Sequence, residues 1–230
     1  MFAHYPIYLL VPNIPCSCEH LAAHYGFPEL VECIQHFLYD QLNPDAETPG
    51  DQANLRDCPV FNGNIKVFNS ASATYYAPSD HSGEGGMHRD IIRCTPQWRG
   101  GAARYDCVLV DGGGSENEPL GGLLVARVLL FFSFKHQGHS YSCALVEWFL
   151  PIGNEPDGLT GMWIVVPEVN AARQQVRAVI SVKMILRGVH LIGVYGKEYL
   201  PVTFHFSESL DAFNAYYVNK YIDHHSYAIC

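Results

Sequence analysis

Apolar and polar positions follow different rhythms in different parts of this chain. In FPELVECIQHFLYDQL (27–42), Leu30, Ile34, Phe37, Leu38 and Leu42 recur at i, i+4, i+7 and i+8, one face of a helix, and Pro28 suits its first turn. Asn43-Pro44 ends that pattern, and NPDAETPGDQANLRDCP reads as a polar surface linker. From about residue 60 the rhythm becomes that of strands. NIKVFNSASATYYAP alternates in part, RYDCVLV (104–110) is a short strand, and GGGSENEPLGG is an exposed loop. The two strongest strands, LLVARVLLFFSFK and SYSCALVEWFL, are joined by a turn around Gly138, and GMWIVVPEV (161–169) follows after the turn PDGLTG.

Three segments are less distinct. After the glycine-rich turn 83–86, MHRDIIRCTPQW suits a brief helix ended by Pro96. Residues 178–195 suggest two short strands with Gly188 between them, with helix as the alternative. SESLDAFNAYYVNKY places Leu210, Phe213, Tyr217 and Tyr221 on one helical face, with Ser207 or Ser209 as N-cap. Five to seven short strands with helices at both ends predict an α+β fold. Its sheet is strongly bent or closed into a small barrel. The expected division is an N-terminal segment 1–26, a helix and linker 27–58, and a strand-rich domain 59–230 ending in a helix. Neither an internal repeat nor a low-complexity tract is present.

Composition narrows this picture. The chain has 230 residues, enough for one domain or one domain with an appendage. Its 48% hydrophobic content excludes a disordered chain, and its 16% charged content is low for a soluble domain. The net charge of −9 argues against coating nucleic acid by bulk electrostatics. That charge is uneven: residues 1–60 hold eight acids against Arg56 alone, leaving the remainder near neutral. Of the eight cysteines, Cys107 in YDCVLV and Cys143 in YSCALV sit inside apolar strand-like runs, a chain of this size has no need of disulfides, and no Asn-x-Ser/Thr sequon occurs, so reduced thiols and an intracellular location are expected. The first 18 residues are uncharged, but they lack a basic leader region and are interrupted by Pro6, Pro12 and Pro15. No apolar run is long enough to span a membrane as a helix, so no membrane partner is expected.

Candidate chemistry is sparse. Cys16, Cys18, His20 and His24 offer four soft ligands, although Cys-x-Cys is tight for zinc. Asp223, His224 and His225, with His205 elsewhere, could serve a metal or a general base. Adjacent histidines on a helix point about 100° apart, however, and helix C-capping is the simpler role. A nucleophile would use Ser140 or Cys143 with His136 or His139, but no nucleophile elbow, P-loop or dinucleotide fingerprint exists. Neither a catalytic residue nor a cofactor is implied. Segment 86–105 differs: Arg89, Arg93, Arg99 and Arg104 face only Asp90, and Trp98 sits among them. Arginine beside an aromatic suits phosphate contact and stacking, and equally suits structural ion pairing.

Several blocks occur together in order: FLYDQLNPDA, FNSASATYYAPSDHSGEGGMHRDIIR, PQWRGGAARYDCVLV, RVLLFFSFKHQGHSYSCALVEWF, PDGLTGMWIVVPE, HLIGVYG and FHFSESLDAFNAYYVNKYIDHHSY. Residues 30–228 thereby resemble the C-terminal region of Plavaka-type transposases, relatives of the KDZ elements of basidiomycete fungi. The resemblance implies a non-catalytic accessory domain of a transposon-derived protein in a nuclear setting, since the acidic catalytic residues of such proteins lie upstream in an RNase H-like domain. It also implies DNA or chromatin, or the transposase catalytic domain, as partner. The strand-rich part is loosely similar to BAH-like barrels, a likeness of fold alone. The acidic, cysteine-bearing segment 1–26 does not fit the family blocks, and an initiator Met so close to the match suggests a truncated or degenerate transposon open reading frame. Three functions follow as expectations: binding DNA or chromatin through Arg89, Arg93, Trp98, Arg99 and Arg104; docking a catalytic core; or metal-dependent hydrolysis on the terminal histidines.

Overall fold

The computed structural model describes residues 7–12, 16–77, 85–115, 117–197 and 199–230, and its fold is α+β, mainly β. In chain order come β1 (Tyr8–Pro12), β2 (Cys16–Ser17), α1 (Cys18–Tyr25), α2 (Leu30–Leu42), β3 (Asn64–Tyr76) and β4 (Met87–Thr95). Then follow β5 (Arg104–Tyr105), β6 (Cys107–Asp111), β7 (Leu123–His136), β8 (His139–Pro151) and β9 (Ile164–Pro167). The last are β10 (Arg177–Ser181), β11 (Ile185–Val189), β12 (Leu191–Gly193), β13 (Tyr216–Val218) and α3 (His224–Ile229).

The β7–β8 hairpin is the spine. Its register runs from Val125 opposite Phe149 to His136 opposite His139, with a bulge between Val128 and Leu130. Gln137 and Gly138 form the two-residue turn with φ of 48° and 81°, the positive pair that matches strand twist in tight hairpins. Strands exchange partners along their length. One edge of β7 pairs with β6 through Leu123–Arg127 and with β3 through Phe131–Phe134. β3 in turn passes from β7 to β4 after Phe68, while β1 and β2 also pair with it. β8 pairs with β10 through Cys143–Glu147 and with β9 through Phe149–Pro151; β13 joins β9 to β12, and β11 joins β6. Every ladder among the described residues is antiparallel, and the sheet is not closed into a barrel.

Burial explains the near-continuous apolar runs of β7 and β8, which are covered on both faces. One face carries α2: Leu30, Ile34, Phe37 and Leu38 join Phe132, Phe134 and Leu145 in a single cluster. Leu42, expected on that stripe, is instead exposed. Phe37 meets Phe134 edge-on at 6.4 Å and Tyr141 at 5.9 Å. Arg177 at the start of β10 ties the helix entrance to the sheet, donating to Glu29 Oε1 at 2.5 Å and to Glu147 Oε1 at 3.0 Å. Within 1–26, the described residues supply β1 and β2 to the sheet edge, and Cys18, Leu21 and Ala22 of α1 to the same core.

Three expectations change. MHRDIIRCT is strand β4, because Ile92 and Cys94 point into the core and the segment pairs with β3 from Ser70 to Tyr76. The C-terminal region is not one helix: Phe206–Glu208 and Lys220–Ile222 are 3-10 turns, Tyr216–Val218 is a strand, and only His224–Ile229 is α-helical. The aromatic run YYV is taken by pairing with β9 and β12, which outweighs the helical spacing of Leu210 and Phe213. Gly188 lies inside β11 rather than between strands, and the break comes at His190. The seven described cysteines are unbridged, and burial pushes the Cys33, Cys94 and Cys107 thiols up to about 12.

Candidate nucleic-acid interface

β4 carries Arg89 and Arg93 on one face, four residues apart at the strand's period of two. Cys94 and Thr95 then pair with Tyr105 and Arg104 of β5, so Arg104 returns beside the strand from which the loop left. Between them the chain makes a tight reversal. Gly101 N–H donates to Trp98 O at 2.8 Å, and both central residues, Arg99 and Gly100, have positive φ (51° and 77°). That is the dihedral signature of a type I′ turn. A bulky residue at positive φ is uncommon and strained, and here it holds Arg99 at the exposed tip of the loop.

This backbone path gathers three guanidiniums on one indole. Arg93 lies 4.6 Å, Arg99 5.3 Å and Arg104 5.6 Å from the Trp98 ring centroid. Among the described residues a single carboxylate, Asp106, answers them: one oxygen accepts from Arg104 Nε at 2.7 Å and the other from the Arg93 backbone N–H at 2.8 Å. Arg93 Nη1 donates to Ile91 O at 3.1 Å, and exposed Arg89 donates through Nε to Ser72 Oγ at 2.6 Å. Trp98 itself is half-buried. Arg89, Arg93 and Arg104 also line one cleft, of about 530 Å³, between β4 and β11.

The floor of that cleft holds Arg187, which sequence reasoning missed. It is only 4% exposed and makes two hydrogen bonds to Asp223, at 2.9 and 2.6 Å, with Asp90 at 3.5 Å. Its guanidinium stands 4.4 Å over the Tyr75 ring and 3.1 Å from His225 Nδ1, and His225 stacks on Tyr75 at 4.6 Å. Burial would raise the Asp223 carboxyl, but Arg187 and the Ser226 N–H overcome this and hold it at about 2. At Asp90 burial dominates and raises the carboxyl despite Arg187. Burial, with Arg187 beside it, lowers His225. The signal for Arg187 was a lone arginine inside the apolar run MILRGV, which demands a partner.

The other candidate residues separate. Asp223 is the N-cap of α3 through the Ser226 N–H, so His224 and His225 stand in its first turn and do not cap its C-terminus. Cys18 is buried in the core and His20 is exposed; the side chains of Cys16 and His24 lie outside those described. Among the described residues no group of three or more His, Cys, Asp and Glu side chains is arranged to hold a metal ion. Cys143 is fully buried in β8, and burial raises its thiol, whereas His139 and Ser140 are exposed at the hairpin end. Among the described residues no helix is long and apolar enough to cross a membrane. In comparisons with known proteins, no family model, no curated protein and no solved structure matches this chain.

Proposed function

We propose that this chain is a non-catalytic accessory domain of a transposon-derived protein that binds the phosphate backbone of DNA. One observation carries the reading: Arg93, Arg99 and Arg104 are gathered over Trp98 with Asp106 as the one carboxylate among the described residues to meet them. Three cations on a ring with two faces leave at least one face shared by two of them. Trp98 is therefore an anchor that stiffens the arginines, and a base gains little room to stack on it. Guanidinium contacts to phosphate hold the duplex in place and carry no sequence preference. In a chain of net charge −9 such binding is local, and added salt suppresses it.

Fluorescence anisotropy with labelled duplex DNA across a salt series tests this. For three phosphate contacts, log K is expected to fall against log salt with a slope of roughly −3. The double variant Arg99→Ala, Arg104→Ala should weaken binding to all sequences alike and reduce the slope by about 2. Unchanged affinity and slope in the variant would remove the arginine cluster from the function.

A second reading, docking of a transposase catalytic domain, is favoured by the exposure of Tyr195, Tyr199, Val202 and Phe206 along one irregular stretch. Its sign would be a defined complex with that domain by sedimentation, abolished by Tyr199→Ser with Val202→Ser, in the absence of a DNA shift.

A further inference from the structure

The cleft between β4 and β11 is chemically one-sided. Its charged walls bring Arg89, Arg93, Arg104 and Arg187 against Asp90, Asp106 and Asp223. The carboxylates are already engaged from within. Asp223 gives both oxygens to Arg187 and one also to the Ser226 N–H, and Asp106 gives its two to Arg104 Nε and the Arg93 N–H. Asp90 faces the Tyr75 hydroxyl at 3.4 Å and Arg187 at 3.5 Å. A guanidinium offers five N–H donors, yet the side chains of Arg89, Arg93 and Arg104 each make one hydrogen bond among the described residues. Each carboxylate is thus held by a neighbour within the fold, while most N–H donors of Arg89, Arg93 and Arg104 are left over among the described residues for an acceptor-rich anion.

We infer that this cleft binds a terminal phosphate, the dianionic phosphate monoester of a nucleotide or of a phosphorylated strand end. Three guanidiniums approaching from two strands match the several oxygens of a phosphate better than the two of a carboxylate. A volume of about 530 Å³ admits a nucleoside as well as its phosphate. Arg187 supplies positive charge from the floor while its own donors stay on Asp223 and its neighbours. The site rests on the proposed interface for Arg93 and Arg104. Arg89 belongs to the cleft instead, its side chain bonded to Ser72 rather than gathered on Trp98.

Isothermal titration of the full chain with adenosine 5′-monophosphate, and with adenosine as control, tests the inference. Saturable binding of the monophosphate alone is expected. Arg89→Gln should weaken it about tenfold, the effect of losing one charge-assisted contact. Arg89→Lys should retain part of it, and Lys183→Gln, which removes an exposed cation away from the cleft, should leave it unchanged. Failure of the wild-type chain to saturate, or equal affinity in Arg89→Gln, overturns the site. If duplex DNA still binds in the salt series while the monophosphate does not, the cleft falls and the interface stands. Binding of the monophosphate without the duplex keeps the cleft and removes the interface. Supporting results then divide by source. A preference for a 5′-phosphorylated oligonucleotide over the same strand without it assigns a strand end, and equal binding of the two assigns a free nucleotide.

Discussion

A guanidinium withdrawn from water is stable only when its charge is met at close range, and Arg187 depends on Asp223 for this. The dependence is mutual, since Asp223 titrates at about 2 in the folded chain against an ordinary 3.8. A carboxyl depressed on folding contributes stability that is complete above the unfolded value and disappears as pH falls from about 4 to 2. The contribution is roughly 2 kcal/mol. Asp90 works in the opposite sense: its raised carboxyl opposes folding when ionised and relieves that strain on protonation. Asp223→Asn should lower stability at pH 7 by about 3 kcal/mol, because a buried charge loses its partner. It should also flatten the decline between pH 4 and 2. Urea unfolding at pH 7, 4 and 3 reads both effects, and parallel acid limbs in the two proteins would refute the assignment.

At the scale of elements, α2 is held to the sheet by apolar packing and by one charged clamp. Arg177→Ala would leave Glu147, 4% exposed, without its cation, at a cost of about 3–5 kcal/mol. Glu29→Gln removes the more exposed arm and should cost about 1 kcal/mol. Urea midpoints of the two variants separate these contributions. The helix was legible because a single face had to be apolar, β3 because its apolar positions alternate in part, and β7, β8 and the turn at Gly138 because long apolar runs parted by a glycine leave few alternatives. β4 was not, since MHRDIIRCT carries few apolar residues and owes its form to a partner strand already in place. The stretch after Phe206 misled for the same reason: Leu210 and Phe213 keep helical spacing, yet pairing of Tyr216–Val218 decides the backbone. At the candidate interface the arginine excess was visible in sequence. The roles of Asp106, Ser72 and Arg187 were not, because each depends on contacts between separate strands.

For the molecule as a whole, a positive locus in a negative protein makes association with a polyanion depend on orientation, and a random approach meets repulsion first. The order in which the sheet assembles is equally constrained. β7 and β8 are joined by two residues, whereas β3, β6, β9 and β10 attach to them only after longer loops have closed. Chain closure favours the short reversal, so the hairpin is the expected nucleus on which the other strands condense. Gly138, at a φ of 81°, then acts on kinetics more than its exposed position suggests. Gly138→Val strains the reversal by about 1–3 kcal/mol. That loss should fall on the refolding rate and leave the unfolding rate nearly unchanged in a stopped-flow chevron. Arg177→Ala, whose clamp joins elements that dock late, should instead speed unfolding. A single two-residue turn would thus set the pace at which all the later pairings can form.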